Sequence, residues 1–156
     1  RAQKISAGQP FSVIIDYAHT PDSLEALYKA YPALRKICVL SGTGGGRDRS
    51  KRPAMGAVAG KYCDTIILTD EDPYDENPRA IVEEIKNGIP KNAAAGKVLV
   101  EMDRRAAIAA AFRAAKKNDV VLITGKGTDP YIMGPRGLKT PWSDARVAEE
   151  ELRKLS

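Results

Sequence analysis

The stretch Phe11-Ser12-Val13-Ile14-Ile15-Asp16, followed by Tyr17-Ala18-His19-Thr20 and then Pro21-Asp22-Ser23-Leu24, decides the fold class. Its first six residues are apolar on both parities and rich in Val and Ile, as expected of a strand covered on both faces of a parallel sheet. Thr20 stands as a helix cap and Pro21 at the first helical position. Leu24, Leu27, Tyr28 and Tyr31 then repeat at i, i+3, i+4 and i+7 until Pro32 perturbs the helix. The same strand-then-helix phrase recurs outward from this point. Further strands are predicted at Ile37 to Leu40, Thr65 to Thr69, Lys97 to Val100 and Val120 to Thr124. Ser50, Asn77 with Pro78, Asp103 and Ser143 are placed to open the intervening and final helices, and Gly88 to close one of them. Strict alternation implies right-handed βαβ units and an open, doubly wound, mostly parallel sheet of the α/β class.

The remaining composition narrows the rest. With 156 residues, 43% of them hydrophobic, and 25 Lys+Arg against 20 Asp+Glu for a formal net charge of +5, one ordinary core is expected. Residues 1–10 read as an incoming linker or short β ribbon and residues 11–156 as the domain itself. No apolar run approaches the length of a membrane span, and the start lacks the apolar stretch of a secretory signal, so a cytoplasmic location is expected. A chain that begins at Arg1 without Met suggests a segment removed from its front. Cys38 and Cys63 lack metal-ligand spacing and are expected as buried free thiols. One His with two distant Cys offers no zinc site.

Ligands of open α/β sheets bind beyond the carboxyl ends of the strands, and the loops at those ends are chemically distinct here. Gly42 to Pro53 carries Gly44, Gly45 and Gly46 followed by Arg47, Arg49, Lys51 and Arg52. It fits neither the P-loop nor the dinucleotide fingerprint, since Arg47 stands where both need Gly. Its glycines, helix amino-terminus and cations nevertheless suit a carboxylate or phosphate. Asp16 and His19 could hydrogen-bond a ribose or phosphate, or simply shape the helix start. Asp70-Glu71-Asp72-Pro73-Tyr74-Asp75-Glu76-Asn77 could hold an ammonium group or Mg²⁺; Asp75 and Glu76 read as a solvated turn, Glu71 and Asp72 as a site. An EF-hand is excluded, because its obligatory Gly falls on Asp75. Gly125-Lys126-Gly127 is weak by itself and gains weight from its position at the same edge. Tyr131 and Trp142 read as local packing.

Taken together, Asp16-Tyr17-Ala18-His19-Thr20-Pro21, Gly44-Gly45-Gly46-Arg47-Asp48 with Lys51-Arg52-Pro53, Thr69-Asp70-x-x-Pro73, Asp103-Arg104, Gly125-Lys126-Gly127 and Ser143-Asp144 resemble, in order, the carboxy-terminal domain of Mur ligases. The closest resemblance is to the branch that adds the third amino acid of the peptidoglycan stem peptide. The resemblance implies an ATP-dependent ligase of UDP-N-acetylmuramoyl-dipeptide whose amino-terminal and central domains lie outside this chain. The central domain would hold ATP and Mg²⁺. An acyl phosphate formed on the peptide would then be attacked by the amine of the amino acid. It further implies that Asp16 and His19 lie near the nucleotide, that Arg47 grips the amino-acid carboxylate, and that Glu71, Asp72, Tyr74, Gly125 and Asp129 contact the amino acid. Gly44, Gly45, Gly46, Arg49 and Lys51 form the anion-binding loop, with no catalytic nucleophile and no metal site in this domain.

Diaminopimelate-adding members show Asp-Asn-Pro-Arg where Glu71-Asp72-Pro73-Tyr74 stands, Thr128 replaces a His, and Asp129 replaces a Glu. An acidic pair without that arginine favours L-lysine or another diamine. The chain alone is expected to be inactive. Alternatives are a folylpolyglutamate or cyanophycin ligase of the same fold, or a basic nucleic-acid-binding module. The latter is disfavoured by scattered cations and the absence of an RNA-binding aromatic motif.

Overall fold

A computed structural model describes residues 2–46 and 48–155; Arg47 lies outside the described residues. The chain forms a six-stranded sheet flanked by helices. It begins with β1 (Gln3–Ile5), β2 (Ser12–Asp16), α1 (Pro21–Lys29), β3 (Lys36–Leu40), α2 (Lys51–Tyr62) and β4 (Thr65–Leu68). It continues through α3 (Pro78–Asn87), β5 (Lys97–Val100), α4 (Arg104–Ala114), β6 (Val120–Thr124), β7 (Tyr131–Met133), β8 (Lys139–Pro141) and α5 (Asp144–Arg153). The order across the large sheet is β1-β2-β6-β3-β4-β5. All neighbours are parallel except β1, which pairs antiparallel with β2.

Why the strands are apolar on both parities follows from the two cores. Val13, Ile15, Ile37, Val39, Ile67, Val121 and Ile123 face α4 and α5, packing with Ala107, Ile108, Phe112, Val147 and Leu152. Their neighbours Ile14, Cys38, Leu40, Ile66, Leu68, Val120 and Leu122 face α1, α2 and α3, packing with Leu24, Tyr28, Met55, Ala59, Ile81 and Ile85. The central residues of these strands are therefore apolar whichever way they point.

Helix starts follow their caps. The Thr20 hydroxyl accepts from Ser23 N while the Ser23 hydroxyl closes the capping box. Asn77, Asp103 and Ser143 each accept from backbone N–H groups in the first turns of α3, α4 and α5. Ser50 does not cap α2. It takes helical φ and ψ, and its hydroxyl donates to Asp48 instead.

Two other expectations need correction. Cys38 and Cys63 are joined as a disulfide, with Cα atoms 6.3 Å apart. They are remote in sequence, but β3 and β4 lie side by side and α2 delivers Cys63 to the start of β4, beneath Cys38. The segment after β6, read as one long loop, folds β7 and β8 into a hairpin whose base is closed by Trp142 N donating to Pro130 O at 2.9 Å. Strands this short, with Pro and Gly between them, leave no alternation to read.

Candidate functional site

The chain lays β3, β4 and β5 outward in order, then returns to insert β6 between β2 and β3. Strand order reverses there, and the loops beyond the carboxyl ends of β2, β3 and β6 face one another across a crevice. A cleft of about 90 Å³ occupies that position. It is lined by Tyr17 and His19 after β2, Thr43 after β3, Glu71, Asp72 and Tyr74 after β4, and Gly125 and Asp129 after β6. A second pocket of about 70 Å³ shares His19 and Thr43 and extends along Asp48, Lys51, Arg52 and Met55 at the start of α2. A larger open groove of about 630 Å³ runs past Trp142 and Arg146. Its Arg105 is held by Glu150 and Glu151, each at 2.7 Å, and no strand-end loop other than that after β6 contributes to it.

The cleft floor is a charged network taken out of water. Lys126, with 1% of its side chain exposed, places Nζ 2.9 Å from both carboxylate oxygens of Asp72. Asp72 also accepts from Met133 N at 2.8 Å, so the β7–β8 hairpin is pinned to the acidic loop. Tyr74, at φ 53°, donates its N–H to Met133 O. Glu71 accepts from the hydroxyls of Ser41, at 2.7 Å, and Thr43. Arg104 forms a bidentate pair with Asp144, at 2.9 and 2.8 Å, and Trp142 Nε1 donates to the same carboxylate. Burial works to lower the Arg104 pKa, but Asp144 above all, then Glu71 and Asp72, hold it above its ordinary value. Burial pushes the Asp70 carboxyl above the usual aspartate range.

Of the residues singled out in the sequence, His19, Glu71, Asp72, Tyr74, Gly125 and Asp129 are brought together around the cleft. Lys51 lines the adjoining pocket. Gly44 donates its N–H to Asp72 O at 2.7 Å and Gly45 lies against the Tyr74 ring, with Gly46 following, so this loop rests on the acidic loop. Asp16 points into its own turn, where its carboxylate accepts from Ala18 N at 2.8 Å. Arg49 is turned away and paired with Glu84 at 2.7 Å. Ser41, Thr43, Lys126, Arg104 and Asp144 had no assigned role in the sequence. One signal was legible for Arg104: a cation in the first turn of a helix opposes the helix dipole, which calls for a counter-charge from elsewhere.

Fold and cleft together define an α/β ligand-binding domain whose site sits where the strand order reverses. The family model described as "Mur ligase, glutamate ligase domain" matches residues 1–127, and the chain belongs to that family. It is 49% identical over 144 residues to UDP-N-acetylmuramoyl-L-alanyl-D-glutamate--2,6-diaminopimelate ligase of Aquifex aeolicus (strain VF5), covering 91% of this chain and 29% of that protein. It is 41% identical to UDP-N-acetylmuramyl-tripeptide synthetase of Roseiflexus sp. (strain RS-1), covering 99% of this chain and 31% of that protein. A solved structure of a UDP-N-acetylmuramoyl-L-alanyl-D-glutamate--2,6-diaminopimelate ligase superposes with a TM-score of 0.87 at 30% identity, covering 99% of this chain and 31% of that one. The chain thus spans under a third of the length of these relatives.

The described residues assemble no metal-binding cluster of three or more His, Cys, Asp or Glu, and the sequence carries no P-loop of the form Gly-x4-Gly-Lys-Ser/Thr. Asp72 already spends its carboxylate on Lys126.

Proposed function

We propose that this chain is the amino-acid-binding part of an ATP-dependent ligase of peptidoglycan precursor synthesis. The substrates of the whole protein are then UDP-N-acetylmuramoyl-dipeptide, ATP and a diamino acid. The observation that carries the reading is the cleft at the strand-order reversal, lined by Glu71, Asp72, Tyr74 and Asp129 and flanked by the pocket that holds Lys51. Carboxylates at the cleft receive ammonium groups. The basic loop beside it suits the amino-acid carboxylate. The chain's own contribution is orientation and exclusion of water, which together bring a free amine within attack distance of an activated acyl carbon. By itself the chain binds and does not ligate, since the groups that hold ATP and metal belong elsewhere in the protein.

Two of the relatives named above, the Aquifex aeolicus ligase and the solved structure, act, by name, on 2,6-diaminopimelate, which carries a second carboxylate at its distal end. The cations beside the lining acids, Lys126 and Arg104, are already paired with Asp72 and Asp144, and no Lys or Arg lines the cleft among the described residues, so a distal carboxylate would find no free cation among them to receive it. The lining therefore favours a diamino acid with a bare distal ammonium, such as L-lysine. A competition assay on the full-length ligase, with L-lysine and meso-diaminopimelate at equal concentration, tests this. Wild type is expected to incorporate lysine. Tyr74→Arg, which leaves the Lys126–Asp72 pair intact, should shift the ratio towards diaminopimelate by about tenfold or more, the worth of one charge-assisted hydrogen bond. Wild-type preference for diaminopimelate would overturn the lysine assignment and direct attention to Arg47; incorporation of neither would overturn the function.

A further inference from the structure

Arg104 has 1% of its side chain exposed, and its guanidinium has no donor left for a ligand. Nε and Nη2 hold Asp144, and Nη2 also donates to Thr124 O at 2.9 Å. Nη1 donates to Asp70 O and to the Ser41 hydroxyl, both at 3.1 Å. These bonds use all the N–H groups of an arginine. They tie the carboxyl ends of β3, β4 and β6 to α5.

The Ser41 hydroxyl has one proton. Because its oxygen accepts from Arg104, that proton is free for Glu71, and the hydroxyl donates to Oε1 with the two oxygens 2.7 Å apart. The other Glu71 oxygen accepts from Thr43. On the far side the backbone closes over Oε1: a Cβ on Gly125, at φ +103°, would lie 2.1 Å from it. Glu71 thus reaches the cleft as an oriented carboxylate, with lone pairs still unfilled. Its counter-charge is the Arg104 guanidinium, one hydroxyl away, rather than a direct ion pair. Asp72 differs, since both its oxygens lie 2.9 Å from Lys126. Of the two acids, Glu71 is the one left free to receive a cation.

We infer that Ser41 and Arg104 are positioning residues of the ligase. Acting through the Ser41 hydroxyl, they hold Glu71 as the carboxylate that receives an ammonium group of the incoming amino acid. This rests on the function proposed above, and the test separates the two. In the full-length ligase, Ser41→Ala removes the link and leaves the Arg104–Asp144 pair in place. It is expected to raise the amino-acid KM about tenfold, the equivalent of about 1.4 kcal/mol, with the ATP KM unchanged. In a Glu71→Gln background the same substitution should change the amino-acid KM by less than about twofold, because a neutral amide, however it is oriented, no longer supplies the charge that holds the ammonium group.

An equal fold-change in both backgrounds, or a lowered melting temperature with an unchanged KM, would show Ser41 to be structural and overturn the inference while the function stands. Wild-type enzyme that ligates no diamino acid would overturn both. Should Ser41→Ala prove too unstable to assay, Thr43→Ala removes the other hydroxyl donor to Glu71 without touching Arg104. The same loss of effect in the Glu71→Gln background is then required.

Discussion

Burying an ammonium group costs several kcal/mol unless a counter-charge and hydrogen bonds meet it, and Lys126 is met by Asp72, with Asp129 at 3.8 Å. In the sequence, Gly125-Lys126-Gly127 is weak by itself, because nothing in a single chain position reports which carboxylate will lie opposite. Asp72 is 54 residues away. Lys126→Met should leave Asp72 buried with only the Met133 N–H as donor, and lower stability by about 3 kcal/mol. Lys126→Met combined with Asp72→Leu should recover a large part of that loss, since no charge is then left unpaired. Urea unfolding of the three proteins checks this; a single variant as stable as wild type would show that the pair contributes nothing net.

At the scale of elements, α2 and α3 approach so closely that Gly88 is needed for a reason the sequence concealed. Read as a helix-closing glycine, it does stand at the end of α3, but at φ −79°, a conformation open to any residue. What demands glycine is the neighbour: a Cβ there would lie 1.9 Å from Pro53 O in α2. Gly88→Ala must therefore push the two helices apart, at a cost of about 1–3 kcal/mol, the range for overpacking a well-filled contact. Gly96→Ala, where a Cβ meets nothing within 4 Å, serves as the control and should be neutral or mildly stabilising. Thermal midpoints of both variants decide it, and an unaffected Gly88→Ala would show that the helix contact yields freely. Because α2 carries the basic loop and α3 follows the acidic one, the spacing of these helices also sets the distance across the site.

For the whole molecule, the ion pairs that tie elements together predict how stability varies with pH. The carboxyls of Glu76, Glu84 and Glu151 are held below the ordinary glutamate value of 4.5, first by hydrogen bonds from Arg52, Arg49 and Lys154 respectively. A depressed folded value means stability that is present above 4.5 and lost as pH falls through the lower folded values. Asp70, raised by burial, works in the opposite sense and is outnumbered. The melting temperature should hold from neutral pH to about pH 5 and decline towards about pH 3. The decline should shrink in about 1 M salt, because the Glu76 and Glu84 pairs are partly open to solvent and therefore screened, while buried Glu151 is screened less. A melting temperature flat down to about pH 3 would remove these pairs from the account.

What the sequence by itself determined was the local and the periodic. Runs of β-branched residues apolar on both parities dictate doubly covered parallel strands, and Thr20, Asn77, Asp103 and Ser143 open helices through bonds to residues two or three positions on. Alternation of the two brought the glycine, acidic and Gly-Lys-Gly loops to one edge of the sheet. Only the tertiary structure decided which charges are spent and which remain. It turned Arg49 to Glu84, closed Lys126 on Asp72, joined Cys38 to Cys63, and set Ser41 between Arg104 and Glu71. The physical reason is that strand and helix periods act over a few residues. Pairing of charges and thiols depends on which strand ends become neighbours, and the insertion of β6 between β2 and β3 settles that for the loops around the cleft.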